Sequence, residues 1–381
     1  MEKLSQEQVE GIRALNMKDL IHYWELMEKD GRKKGKLTEV VRLLVQADLF
    51  YLMVKACNRI DLLNDFAFAR CREVEKDPDG HLDLWAREHF KSSLITFGLT
   101  IQNILNDPEV TFGIFSHTRP IAKAFLRQIM RELEANKLLQ VAFPDILWGQ
   151  DVRQAPKWSE DDGIIVRRKS NPNEATIEAW GLVDGQPVSK HFKVLLYDDI
   201  VVQASVSNPD MIAKTMSRLE ESYSLGTTPG IKRFVGTRWH FNDAYRTIKD
   251  RGTARPREHP GRIGGTEDGE SVFWSEEMHK EKRRDYGPYT YAAQILLNPK
   301  ADSLQGFKRE WIKKYRQITK EKLNWYLLVD AASSKKRGSD FTAMWAVGLG
   351  IDGNYYCIPE VRDRLNLKER GDRVFDLHRK Y

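Results

Sequence analysis

Apolar positions in the first part of the chain recur at three- and four-residue steps. Leu44, Ala47, Tyr51 and Val54 fall on one helix face. Residues 1–80 are therefore expected to be helical. The charged stretch KDGRKKGK, from Lys29 to Lys36, breaks the pattern and is expected to be a solvated loop. Leu43 to Cys57 is the most apolar run there, but it is short and carries Gln46, Asp48 and Lys55. It reads as a buried helix and not as a membrane span.

From residue 81 the pattern changes to apolar runs alternating with amphipathic stretches. Thr111 to Phe115 (TFGIF), Val194 to Tyr197 (VLLY) and Ile231 to Val235 (IKRFV) read as strands. The run 194–197 is apolar on both faces, as a central parallel strand must be. Between the first two strands lies a helix signal. Pro120 stands near its start, and Ile121, Phe125, Ile129 and Leu133 share a face. Strands alternating with helices predict a layered α/β domain. Residues 251–275, rich in Gly, Arg and Glu with no apolar period, predict a long loop or hinge. A second α/β unit begins near residue 325, with strands at Trp325–Asp330, Phe341–Gly348 and Tyr355–Pro359. Asp352-Gly353 between the last two is a hairpin signal, so this unit opens with antiparallel pairing. Residues 364–381 begin a helix.

Composition narrows the class. A chain of 381 residues suggests two or three domains, and 41% apolar with 30% charged residues excludes wholesale disorder. Lys and Arg total 61 against 55 Asp and Glu, a net charge of +6, which permits nucleic-acid binding without requiring it. Cys57, Cys71 and Cys357 have no metal-ligand spacing and are odd in number, which suggests a reducing cytoplasm. The N-terminus shows no signal-peptide pattern, so a soluble intracellular protein is expected.

Candidate chemistry starts in Leu82–Leu94, LDLWAREHFKSSL. A phosphate-binding loop needs inward backbone N–H groups, a Lys for the β- and γ-phosphates and a following hydroxyl for Mg²⁺, at a helix N-terminus. Lys91 and Ser92 supply the last two. Against G-x-x-x-x-G-K-[ST], Trp85 and Phe90 stand where the glycines belong, so an ordinary helix start is the competing reading. The run VLLYDD, 194–199, is an apolar strand ending in two carboxylates. Such a pair costs free energy unless a cation or solvent receives it. In a P-loop NTPase Asp198 would hold Mg²⁺, and Asp199 would orient or deprotonate the attacking water, a place where Glu is commoner. The two runs lie in the right order, about a hundred residues apart, with a strand and a helix between them. The strand ending Gly236-Thr237-Arg238 puts Thr237 where a polar tip residue can sense a γ-phosphate, with an ordinary turn hydroxyl as the competing reading. His240 reads as a packed surface histidine.

AREHFKSS, FSHTRPIAKAF, VLLYDD, GTRWHFND and YAAQILLNP, followed by LLVDAASSKKRGSDFTA, together resemble the large terminase subunit of tailed double-stranded DNA phages, over residues 80–381. The resemblance implies a P-loop (RecA/ASCE-like) ATPase with a mostly parallel central sheet and an N-terminal helical lid. A partial RNase H-like α/β unit would follow. Divided so, 1–80 is the lid, 81–250 the ATPase core, 251–310 a loop closing the ATPase half, and 311–381 the start of the nuclease. It implies ATP-driven translocation of double-stranded DNA into a procapsid, with a metal-dependent endonuclease that cuts concatemers. The implied nucleotide-binding run is Ala86, Arg87, Glu88, His89, Phe90, Lys91, Ser92 and Ser93. Arg87, Lys91 and Asp199 are the implied catalytic residues, Ser92 and Asp198 the Mg²⁺ residues, and Thr237 the coupling residue. Tyr291 to Pro299 matches the segment that closes the ATPase half. An Arg acting on a neighbouring subunit is also implied, with Arg127, Arg153, Arg167 and Arg168 as candidates. Partners on this reading are double-stranded DNA, the small terminase subunit and the procapsid portal. A monomer in solution and a homo-oligomeric ring on the portal are implied, in the host cytoplasm and with no membrane.

RNase H-like nucleases set about three carboxylates around two Mg²⁺ or Mn²⁺ ions. Asp330 ends the first strand of the second unit, and Asp340 matches an auxiliary acid of the family, with a turn residue at a strand start as its competing reading; Lys335, Lys336 and Arg337 lie between them. The family's next carboxylate is expected on a strand after Tyr381, so residues 1–381 are expected to hydrolyse ATP without cutting DNA. DNA contacts are expected at phosphates, with Arg32–Lys34, Lys282–Arg284 and Lys335–Arg337 as candidates. The alternatives are a helicase or remodeller with the same ATPase core, or a DNA-binding module with a decayed nucleotide site.

Overall fold

The computed structural model describes residues 4–299, 313–315, 322–332 and 341–381. Asp340 and Lys335, Lys336 and Arg337 lie outside the described residues. The chain divides into two compact units, Met1–Gly306 and Phe307–Tyr381.

The first unit opens with helices Gln6–Ala14, Met17–Lys33, Leu37–Ala47 and Asp65–Lys76. Ser5 and Gln8 form a capping box on the first, and Asn16 and Asn64 cap the second and fourth. Leu44, Ala47, Tyr51 and Val54 are all buried, as their spacing predicts. They do not share one continuous helix. Asp48 is extended, and its carboxylate accepts the Phe50 and Tyr51 N–H groups, restarting the helix. Trp24 Nε1 donates to the same carboxylate at 3.0 Å.

Lys29 to Lys33 are helical rather than loop. The helix runs to Lys33 because buried Gly31 lets it lie against the next one: a Cβ there would meet Val40 Cγ2 at 2.9 Å.

The central sheet uses eight strands. These are β1 (His81–Trp85), β2 (Phe112–Ser116), β3 (Trp158–Ser159), β4 (Gly163–Ile164), β5 (Ile177–Gly181), β6 (Phe192–Asp198), β7 (Gly226–Gly236) and β8 (Arg255–His259). Their order is β3-β4-β5-β2-β6-β7-β1-β8. From β5 to β8 every pairing is parallel; β3 and β4 are antiparallel.

Residue alternation splits β6 between two cores. Val194 and Leu196 pack with the N-terminal helices and with the helical stretch after β1. Leu195 and Tyr197 face the other side with Leu82, Leu84, Phe115 and Phe234. There the Tyr197 ring stacks on Phe234 at 4.9 Å and on Phe115 at 5.4 Å. In helix Arg119–Ala135 the buried stripe is Ala122, Leu126, Ile129 and Leu133. Ile121 and Phe125, expected on that stripe, flank it and are half-buried.

Part of the expected 251–275 loop is β8, the edge strand beside β1. Its one inward residue, Arg257, binds Asp83 of β1 in a two-pronged ion pair at 2.6 and 2.8 Å. Both side chains are almost fully buried.

In the second unit β9 (Leu323–Asp330), β10 (Thr342–Gly350) and β11 (Tyr355–Asp363) form an antiparallel sheet with β10 central. Gly353 takes φ +74° in the hairpin turn, which the Asp-Gly pair anticipates. Asn366 and Glu369 form a capping box on helix Leu367–Lys380. Met344, Leu365 and Leu377 make its core.

Candidate functional site

Parallel strands deliver their carboxyl ends to one edge of a sheet, the usual place for a ligand in such folds. Here β6, β7, β1 and β8 are consecutive neighbours, so the segments after Asp198, Gly236, Trp85 and His259 leave from the same edge. After β1 the chain turns through 86–91 into a wide π-type helical stretch, Ser92–Leu99, continued by helix Thr100–Asn106. The Leu94 amide closes the first turn on the Phe90 carbonyl. The amides of 91–93 thus precede the ladder and are the orphan donors of a helix start.

At this edge the two sequence motifs meet. Lys91 Nζ lies 3.1 Å from Asp199 Oδ1 and 3.3 Å from Oδ2. Ser92 Oγ donates to Asp198 Oδ1 at 3.1 Å, and the Thr96 hydroxyl donates to Oδ2. Asp198 is fully buried. Burial, and then the neighbouring Asp199 charge, push its carboxyl up to about 7. Lys91 and the two hydroxyls oppose this. Asp199 leaves the strand at φ +47°, its amide donating to the Val235 carbonyl, and its side chain is 37% exposed. Thr237 Oγ1 donates to the Trp85 carbonyl at 3.1 Å, tying the tip of β7 to the last residue before the loop. Gly236 is required beside it, because a Cβ there would lie 2.1 Å from the Tyr245 hydroxyl.

The loop keeps a glycine-like backbone without glycine. Glu88 and Phe90 take φ of +63° and +65°. Of the expected nucleotide-binding run, Ala86 and His89 turn their side chains into the core. His89 packs on Phe66, Phe273 and Trp274, and burial pushes its imidazole down to about 4. Its backbone remains in the loop. Arg87 is exposed and donates to Gln294 Oε1 at 3.2 Å. Glu88 binds Lys282 and Tyr286. Ser93 accepts from Arg59 at 3.5 Å.

No contact joins the other candidates to these residues among those described. Arg127 pairs with Glu160, and Arg167 with Asp151. Arg168 donates to the Glu174 carbonyl at 2.8 Å, and Arg153 is exposed. His240 is half-buried against Phe241. Asp330 is exposed at the end of β9, opposite Ala343. Among the described residues no group of three or more His, Cys, Asp or Glu is placed to hold a metal ion.

Sequence reading missed Thr96. Its signal was available, since it lies one helical turn beyond Ser92 on the same face. It also missed Lys282, Tyr286 and Gln294, which are brought in by chain folding from nearly two hundred residues away or more.

No protein-family model and no curated protein sequence matches the chain. Among solved structures it is similar to the large terminase of a thermophilic bacteriophage in complex with ATP-γ-S. Identity is 10%, coverage 90% of this chain and 73% of that one, and the TM-score 0.37. A second structure of that terminase, in complex with ADP, matches at 11% identity, 80% and 69% coverage and TM-score 0.36. Among the described residues no helix is long and apolar enough to cross a membrane.

Proposed function

We propose that the chain is the ATPase-bearing subunit of a viral DNA-packaging motor, which hydrolyses ATP and uses the energy to move double-stranded DNA into a procapsid. One observation carries the ATPase reading. Lys91-Ser92 at a helix start and Asp198-Asp199 at a strand end, remote in sequence, are in hydrogen-bond contact at the carboxyl edge of a parallel sheet. The packaging assignment rests on the order of the terminase-like motifs along the chain.

Each residue then has a task. The amides of 91–93 and the Lys91 ammonium bind the β- and γ-phosphates. Lys91 pairs with Asp199, so an arriving phosphate exchanges with that carboxylate and releases it. Asp199, partly exposed, is then free to accept a proton from the attacking water. The water oxygen bonds to the γ-phosphorus, the bond to the β-phosphate oxygen breaks, and ADP and phosphate leave.

The donor set of Asp198, Ser92 and, behind them, Thr96 consists of hard oxygens around a buried carboxylate that, among the described residues, no cationic side chain pairs with directly, which suits Mg²⁺. Bound there, Mg²⁺ would offset charge on the β- and γ-phosphate oxygens. Thr237, hydrogen-bonded to the base of the loop, is the residue that would pass a change at the phosphates to β7.

On the same reading the second unit contributes Asp330, with Asp340, to a two-ion Mg²⁺ or Mn²⁺ nuclease. The partners are the small terminase subunit and the portal, with a ring assembling on the portal in the host cytoplasm. DNA is held through phosphates, as a motor that traverses every sequence requires.

The test is ATP turnover by Lys91→Ala and Asp199→Ala. Each should lose on the order of a hundredfold or more. Turnover at the wild-type rate in either variant removes the assignment. DNA strand separation by the wild-type protein would favour a helicase with the same core.

A further inference from the structure

The phosphate loop has side chains where its geometry asks for glycine. A left-handed backbone at Glu88 and Phe90 is disfavoured by their β-carbons and persists only when surrounding structure holds it. One segment of the same unit grips each residue from 87 to 90. The Arg87 amide donates to the Gln294 carbonyl at 3.0 Å, and its guanidinium reaches Gln294 Oε1. The Glu88 carboxylate takes Lys282 Nζ at 2.8 and 2.9 Å and the Tyr286 hydroxyl at 2.8 Å. His89 sits on Trp274 at 4.7 Å between ring centroids, and Phe90 on Phe273 at 5.2 Å.

Lys282, Tyr286 and Gln294 all belong to helix Glu276–Gln294, and Gln294 is buried. That helix is interrupted at Gly287, with Pro288 following, so Lys282 and Tyr286 grip from before the break and Gln294 from after it. Just past the break, the Tyr289 hydroxyl donates to the Trp239 carbonyl, in the loop that follows Thr237.

We propose that the segment Phe273 to Gln294 is the positioning device of the phosphate loop, doing from outside what loop glycines would do from within. Lys282 and Tyr286 act through Glu88; they are positioning residues. The proposal rests on the nucleotide-binding reading above. It follows that the loop's competent shape is a population set by this helix, and that phosphate affinity falls when the grip is released.

The experiment measures binding of a slowly hydrolysed ATP analogue with Mg²⁺ by calorimetry, alongside kcat and KM for ATP. The proteins are wild type, Tyr286→Phe, the double variant Lys282→Met/Tyr286→Phe, and that double variant carrying Glu88→Gly. Far-UV circular dichroism checks that each is folded. The double variant should bind about tenfold more weakly, the equivalent of about 1.4 kcal/mol, with KM raised in step and kcat within about twofold. The milder Tyr286→Phe should shift the same way by a smaller factor. Glu88→Gly removes the backbone penalty, so it should restore affinity to within about threefold.

Unchanged affinity in the folded variants overturns the proposal. So does failure of Glu88→Gly to recover it, since a structural defect would not be cured by glycine. Absence of binding by the wild type overturns the nucleotide reading itself, and the proposal with it.

Discussion

Asp198→Asn should stabilise the nucleotide-free protein while abolishing its response to Mg²⁺ and ATP. The buried carboxyl is raised from 3.8 to about 7, chiefly by desolvation and then by Asp199. Its folded pKa lies above its unfolded one, so the native state keeps a proton that the unfolded chain has lost. The group therefore costs nothing below about pH 4, subtracts stability as pH rises from about 4 to 7, and subtracts a constant amount above. Roughly three units set a ceiling on the order of 4 kcal/mol at pH 8. Asn is nearly isosteric and can still bond the Ser92 and Thr96 hydroxyls, but its amide also resists burial, so a gain of roughly 1–2 kcal/mol is expected. That is a rise of about 1–2 °C in Tm for each kcal/mol in a chain of this size. The assay is thermal unfolding of both proteins in EDTA at pH 5 and pH 8. Glu75 is also raised to about 7 and tilts both curves alike, so the variant-minus-wild-type difference isolates Asp198. Only about 1.6 kcal/mol of the Asp198 penalty is present at pH 5, so the gain should be absent or slightly reversed there and full at pH 8. Adding Mg²⁺ and ATP at about a hundred times Kd should stabilise the wild type by about 2.7 kcal/mol and leave the variant unmoved. A variant destabilised equally at both pH values would refute the reasoning.

Two further outcomes follow. Arg257→Ala leaves Asp83 buried without its partner. It should cost about 3–5 kcal/mol in urea unfolding, and Asp83→Asn in the same chain should recover part of that; a cost under about 1 kcal/mol would show that the pair is not what holds β8. Because the Asp198 proton must leave before a cation binds, turnover at limiting Mg²⁺ should fall about tenfold per pH unit below 7 and flatten above it; a flat profile from pH 6 to 8 would contradict this.

Much of the fold was legible because burial writes itself as periodicity. The run VLLY is apolar at every position because β6 has a core on each side. The stripe of helix Arg119–Ala135 was legible to within one residue, a small rotation that places Ala122 and Leu126 inward instead of Ile121 and Phe125. Features held by charge were not legible. Strand β8 reads RPREH, and its inward residue is an arginine that is tolerable only opposite Asp83, which no local pattern reveals. Asp48 looks like a polar interruption of an apolar helix but is the cap that begins the next one. The meeting of Lys91 and Ser92 with Asp199 and Asp198 could be expected from spacing, because a helix start and a strand end come together at one edge of a parallel sheet. The grip of Lys282, Tyr286 and Gln294 could not, because their partners are fixed by tertiary packing alone.

The adjacent acids show how one step of backbone separates two environments. Along β6 the even positions 194, 196 and 198 share a face. Val194 and Leu196 pack with Leu94, Ile95 and Phe97 of the helical stretch after β1. Strand alternation therefore delivers Asp198 under that stretch, where Ser92 and Thr96 meet it and water does not. Continued as a strand, the chain would send Asp199 to the opposite, aromatic core beside Tyr197 and Phe234. Instead the strand ends, φ turns to +47°, and the Asp199 side chain reaches Lys91 at the solvent margin. One acid is buried among hydroxyl oxygens, and its neighbour is left within reach of water. Two carboxylates whose environments are driven apart in this way are equipped for different roles, whereas two in one environment would compete for a single proton.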